Sequence, residues 1–121
     1  MTTRVLVADD HADFRRAART VVEATMGFEV VGEAASGEEA LALVERLSPN
    51  LVLMDVRMPG IGGIAAARVL AASRPQITTI LLSTYAAKDV PAQALTCGAA
   101  GYLPKAELGP RALRTVYCSA R

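Results

Sequence analysis

Acids close two apolar runs of this chain: Asp9 and Asp10 end Val5-Leu6-Val7-Ala8, and Asp55 ends Leu51-Val52-Leu53-Met54. Ser83 ends a third run, Ile80-Leu81-Leu82, and Lys105 follows a fourth, Gly101-Tyr102-Leu103-Pro104. If the runs are parallel strands, acids, hydroxyl and amine all collect at one end of a sheet, where open α/β folds build their sites. Carboxylates crowded at such a rim repel one another unless protons or a cation offset them. Mg²⁺ suits them, because it takes oxygen ligands and usually binds one or two carboxylates together with phosphate oxygens. Phosphoryl transfer then needs an in-line attacking oxygen and positive charge on the equatorial oxygens. Asp55 can attack, Lys105 can stabilise charge, and Ser83 can donate a hydrogen bond. Taken singly, each has an ordinary explanation: an Asp after a strand forms turns or caps helices, and a lysine is a solvated charge. The conjunction of four fitting strand ends favours the functional reading.

Helical patterns separate the runs. Phe14, Ala17, Ala18, Val21, Val22 and Thr25 recur at helical spacing, and Gly27 is placed to end that helix. Phe28 to Ala34 reads as a second strand, less buried than the first. Ser36 and Glu39 have capping-box spacing before a helix whose apolar face is Ala40, Leu41, Val44 and Leu47; Ser48-Pro49-Asn50 stops it. The third strand ends at Asp55, a glycine-rich loop follows from Met58, and a third helix is expected from about Ile64 to Ser73. A fourth strand over Ile77–Leu82, a short helix over Val90–Cys97 with Pro91 in its first turn, a strand over Gly101–Leu103 and a helix from Glu107 to about Cys118 complete the pattern. Five strands alternating with five helices predict a parallel sheet covered on both faces, a three-layer sandwich with the flavodoxin-like order 2-1-3-4-5. That order makes the first and third strands neighbours and brings Asp9 and Asp10 to Asp55.

Composition bounds the rest. The 121 residues suit one domain, residues 1–121, and 52% hydrophobic content argues against disorder. Lys+Arg 13 against Asp+Glu 12 gives a net charge of +1, so no overall basic field draws the chain to nucleic acid. Cys97 and Cys118 lack the paired spacing of a zinc or redox motif. The N-terminus carries no signal-peptide pattern and no stretch is long enough for a membrane span, so a reducing cytoplasm is the expected location.

The chain resembles the receiver domains of two-component response regulators over essentially its whole length, on Val5-Leu6-Val7-Ala8-Asp9-Asp10-His11, Leu53-Met54-Asp55-Val56-Arg57-Met58-Pro59-Gly60, and Gly98-Ala99-Ala100-Gly101-Tyr102-Leu103-Pro104-Lys105. The resemblance implies that a sensor histidine kinase phosphorylates Asp55 and that the chain catalyses only its own phosphorylation and dephosphorylation. It implies Mg²⁺ held by Asp10, Asp55 and the backbone carbonyl of Arg57, with Asp9 acting mainly through water. Ser83 would be the switch hydroxyl, Tyr102 the switch aromatic and Lys105 the phosphate-binding amine. His11, Phe14-Arg15, Gly32-Glu33-Ala34 and Gly101-Tyr102-Leu103 resemble the NarL/FixJ branch, whose members usually carry a C-terminal helix-turn-helix. The expectation is a receiver fragment of a transcription regulator, with a stand-alone receiver as the alternative. It would dimerise on phosphorylation and reach DNA only through an output domain absent from this chain. His11 reads as a local structural residue.

Some positions depart from the commonest pattern. Gly62 stands where an acid is frequent, which predicts a more mobile loop, and Ser83 stands where Thr is commoner. Arg57 and Tyr85, two residues past Asp55 and Ser83, are expected to flank the path of hydrolytic water and to slow loss of the phosphoryl group. Three rivals are weaker. A haloacid-dehalogenase-like phosphatase would need an acid where Arg57 stands. A flavin or dinucleotide binder would rest on Gly60, Gly62 and Gly63 alone, displaced from the strand by Pro59. A degenerate receiver serving only for docking would not need every acid, hydroxyl and amine.

Overall fold

The runs that end in acids become buried, neighbouring strands of one sheet. A computed structural model describes residues 2–84 and 92–120. In it β1 (Thr3–Ala8) and β3 (Leu51–Asp55) lie side by side in parallel, with Val7 opposite Leu53 and Ala8 opposite Met54. Around them stand β2 (Phe28–Ala34), β4 (Thr78–Ser83) and β5 (Gly101–Pro104), giving the parallel order β2-β1-β3-β4-β5. β2 is an edge strand and is mostly half-buried, as its sequence suggested.

Side chains alternate across the strands and sort the core into two layers. Val5, Val7, Leu51, Leu53, Ile80, Leu82 and Leu103 face α1 (Ala12–Glu23) and α5 (Pro110–Ala120), meeting Ala18, Val22, Leu113 and Tyr117. Leu6, Ala8, Val52, Met54 and Leu81 face α2 (Gly37–Leu47), α3 (Gly62–Ser73) and α4 (Ala92–Thr96). Leu53 is fully buried, so truncation to alanine would cost about 2–5 kcal/mol.

Local chemistry sets the helix ends. At α2 the Ser36 hydroxyl accepts the Glu39 N–H at 3.1 Å, and the Glu39 carboxylate accepts the Ala35 N–H at 2.6 Å. Helix α2 closes on Ser48, which takes a left-handed conformation at φ 46°. Two starts differ from the sequence expectation. Helix α3 begins at Gly62 rather than Ile64, and α5 begins at Pro110 rather than Glu107. Pro110, with its fixed φ and no N–H, suits a first helical position, while Lys105–Glu107 form a separate 3-10 turn closed by the Leu108 N–H on the Lys105 carbonyl at 3.2 Å. Strand β4 runs one residue later than expected, which takes Ser83 into the sheet. The expected helix start at Val90 and Pro91, and Tyr85, lie outside the described residues.

Candidate functional site

The parallel register aligns the strand ends. Ala8 pairs with Met54, Asp55 with Leu82, Leu82 with Leu103, and Ser83 with Pro104. Asp9 and Asp55 are therefore level with Leu103, and Lys105 follows two residues beyond it with the same parity, on the layer that faces α1 and α5. Ser83 and Tyr102 have the opposite parity. Tyr102 packs, half-buried, against the layer that contains Leu81 and Ala94, and Ser83 is buried at the end of its strand.

The turn after β1 gathers two of the acids. The Asp9 N–H donates to the Ala34 carbonyl at 2.9 Å, continuing the ladder, and the Asp9 carboxylate accepts the His11 N–H at 2.7 Å. This Asp-backbone turn places His11 at the N-cap of α1. The His11 ring brings Nδ1 to 3.1 Å from both Asp9 Oδ1 and Asp10 Oδ1. His11 thus acts locally, tying the acids to the helix start. The Asp9 side chain is 1% exposed, whereas that of Asp10 is 33% exposed and opens to solvent.

Lys105 lies between Asp9 and Asp55. Its Nζ pairs closely with Asp9 Oδ2 and stands 3.5 Å from Asp55 Oδ2. Among the described residues Asp9 Oδ2 accepts no regular hydrogen bond, so this ion pair is its compensation. The Phe14 ring, from the first turn of α1, lies 4.4 Å from the ammonium and stabilises it through its π face. Burial, followed by repulsion from Asp9, pushes the Asp55 carboxyl up to about 6, against the pull of Lys105 and of the Arg57 main-chain N–H on the carboxylate. Three carboxylates, those of Asp9, Asp10 and Asp55, face the single ammonium of Lys105 among the described residues of the rim, so negative charge is in excess here.

That excess fits a divalent cation. Asp9, Asp10, His11 and Asp55 each offer a ligand atom, all within 4.8 Å of one another. Asp10, the most solvent-exposed of the three acids, and Asp55 offer hard carboxylate oxygens, the donor type that Mg²⁺ takes.

The segment after Asp55 is held from α2. The Glu38 carboxylate accepts the Ile61 N–H at 3.3 Å and lies over Gly60, whose φ of 77° and lack of a side chain admit it. The extra mobility expected of this glycine-rich loop therefore has a contact opposing it. Arg57, two residues past Asp55, is exposed.

The structure thus gathers Asp9, Asp10, Asp55 and Lys105 at one rim, with Ser83 and Tyr102 behind it on the other face of the sheet. Phe14 and Glu38 were not foreseen. Phe14 read as a core position of a helix and as part of the branch resemblance, and Glu38 carried no reading of its own.

A parallel five-stranded sheet in this order, with acids and lysine at its carboxyl edge, is the architecture of a phosphorylation-switch receiver. The sequence matches the family described as response regulator receiver domain over residues 5–117. Response regulator GacA of Pseudomonas viridiflava is 42% identical over 98% of this chain and 56% of its own length. Among solved structures, a LuxR-family two-component response regulator from Aurantimonas sp. SI85-9A1 superposes with a TM-score of 0.87 at 30% identity, covering 100% of this chain and 89% of that one. The signal receiver domain of the NarL regulator of Mycobacterium tuberculosis gives 0.83 at 32% identity, covering 96% and 97%. The chain belongs to the response regulator receiver domains of two-component systems, on the NarL/FixJ branch. It spans about half the length of the curated relatives it matches. Among the described residues, no helix is long and apolar enough to cross a membrane.

Proposed function

We propose that this chain accepts a phosphoryl group on Asp55 from a sensor histidine kinase and converts it into a change of surface that controls an output. The observation that carries the reading is the position of Lys105, whose ammonium stands 3.5 Å from Asp55 Oδ2 in a rim that also holds Asp9 and Asp10. Asp10, Asp55 and the Arg57 carbonyl would hold Mg²⁺, with Asp9 contributing through water. When bound, that ion would neutralise the rim and the oxygens of the incoming phosphoryl group.

The chain's own residues do the remainder. An Asp55 carboxylate oxygen attacks phosphorus, the phosphorus–nitrogen bond of the donor phosphohistidine breaks, and its electron pair stays on the departing imidazole nitrogen, which takes up a proton. Lys105 stabilises charge on the equatorial oxygens, and Ser83 donates to one of them. Phosphorylation adds about two negative charges at Asp55. Lys105 and Ser83 then bind the new oxygens better in one conformation than in the other, and only that difference drives the switch. Tyr102, on the face that carries Ser83, turns inward as Ser83 moves. The surface around α4, β5 and α5 is reshaped, with dimerisation or release of an output domain as the readout. By analogy with its relatives that output is transcription regulation through a DNA-binding domain beyond this chain. The chain acts only on its own carboxylate.

Acetyl phosphate labelling followed by intact mass tests the reading. The expected result is one phosphoryl group on the wild type with Mg²⁺, none without it, and none on Asp55→Asn. Stoichiometric labelling of Asp55→Asn would sink the assignment. Turnover of a phosphate ester in the absence of any kinase would instead favour a phosphatase.

A further inference from the structure

Two motifs of the sequence, Arg15 in the first turn of α1 and Glu33 in β2, have no part in the reading above, and the fold brings them together behind the acid pair. Arg15 donates from one terminal nitrogen to the main-chain carbonyl of Asp9 at 2.7 Å and from Nε to Glu33 Oε1 at 3.2 Å. Glu33 is shared: Arg19, one helical turn on, reaches Glu33 Oε2 from Nε at 2.9 Å and from its second terminal nitrogen at 2.7 Å. The Arg15 and Glu33 side chains are only 21% and 32% exposed, so both groups are partly withdrawn from water and depend on each other. Glu33 also holds Arg19 in its charged form, raising its pKa chiefly through their hydrogen bond. Because Glu33 lies opposite Val7 in the β1–β2 ladder, the clamp is anchored in the sheet itself.

From this geometry we infer that Arg15, held by Glu33, is the positioning residue for the acid pair: it fixes the main chain at Asp9 and thereby the direction in which Asp10 presents its carboxylate. A guanidinium is suited to this task, because its planar fork serves the carbonyl and the carboxylate at once, which an ammonium on a flexible stem does not. The effect on Mg²⁺ rests on the function proposed above, whereas the effect on the turn does not.

The test compares Arg15→Lys, Arg15→Ala and Glu33→Ala, with Arg16→Ala as control, since among the described residues the Arg16 guanidinium pairs only with exposed Asp13. Arg15→Lys keeps the charge and the fold while breaking the fork, and so guards against simple unfolding. In metal-free protein, amide hydrogen exchange at Asp9 to Ala12 should accelerate at least tenfold relative to the α5 amides in all three variants and stay unchanged in Arg16→Ala. Mg²⁺ affinity, read by amide shifts of Asp10 and His11, should weaken three- to tenfold, while KM for acetyl phosphate at saturating Mg²⁺ stays constant. The Arg15→Ala/Glu33→Ala double variant should be no worse than either single one. Unchanged exchange in Glu33→Ala, or additive losses in the double variant, would overturn the inference. A wild type that binds no Mg²⁺ would refute the functional reading, and the exchange data would still decide the clamp.

Discussion

Gly63 sits directly against the main chain of Asp55: a Cβ on Gly63 would lie 1.8 Å from the Asp55 carbonyl oxygen and 3.1 Å from the Val56 Cα. The Gly63 N–H also donates to the Val56 carbonyl at 3.0 Å, so α3 begins in contact with the end of β3. The main chain that carries the proposed phosphoacceptor is thereby locked to a helix start, and only glycine permits the approach.

Gly63→Ala should consequently destabilise the protein by at least about 2 kcal/mol, because the obstructing atoms are backbone and cannot swing aside. Acetyl phosphate labelling of the folded fraction should slow more than tenfold. Gly109→Ser is the contrast, since nothing lies within 4 Å of a Cβ there and the residue precedes α5. It should be neutral or slightly stabilising. Urea midpoints of the two variants, measured side by side, decide the matter, and equal midpoints would contradict the contact.

The reach of the sequence follows from where information is local. Strands β1 and β3 were legible because apolar runs ending in acids have one plausible place in an α/β sheet, and the capping of α2 was legible because Ser36 and Glu39 are three residues apart. The start of α5 was misplaced because Leu108, just past a 3-10 turn, packs against the core and so mimics a helical position, although Pro110 carried the correct signal. At the site, the meeting of Asp9, Asp55 and Lys105 could be anticipated from strand order alone. The π contact of Phe14 and the hold of Glu38 on Ile61 could not, because each joins elements distant in the chain through side-chain directions that periodicity does not encode.

Asp55 has a folded pKa of about 6, above the ordinary carboxyl value of 3.8. Between these values the folded state holds more protons than the unfolded state, so the slope of stability against pH is negative in that window. Metal-free protein should therefore lose a favourable contribution as pH rises from about 4 to 6, an effect on the order of 1–3 kcal/mol. Asp55→Asn removes the titrating group. Its stability advantage over wild type in chelator should grow across that window and level off above it, as urea unfolding at successive pH values would reveal. A pH-independent difference would contradict the raised pKa.

Asp10, one third exposed, has no buried counter-charge to strand among the described residues, so Asp10→Asn should change metal-free stability by no more than about 0.5 kcal/mol. Its loss should fall on the cation instead. Wild type at one hundred times its Mg²⁺ dissociation constant should gain about 2.7 kcal/mol of stability, and Asp10→Asn at the same concentration should gain little. Thermal unfolding with and without Mg²⁺ separates the two. A variant stabilised as much as wild type would remove Asp10 from the ligand set.

Lys105 serves two acids unequally, and the inequality is measurable. Asp9, fully buried, takes the closer contact and has Lys105 as the charge partner of its Oδ2, while Asp55 stands 3.5 Å away. Removing the ammonium strands a buried carboxylate, so Lys105→Met should cost about 3–5 kcal/mol. Asp9→Asn in the Lys105→Met background removes that stranded charge and should recover stability, giving a coupling of about 1–3 kcal/mol in the double-mutant cycle. The cycle with Asp55→Asn should give a smaller coupling, since a longer separation weakens the Coulomb term. If Lys105 is released from Asp9 on phosphorylation, acetyl phosphate with Mg²⁺ should shrink the Asp9 coupling. A coupling to Asp55 that exceeds the coupling to Asp9 in unmodified protein would reverse the order of partners and with it this account of how the amine is held before transfer.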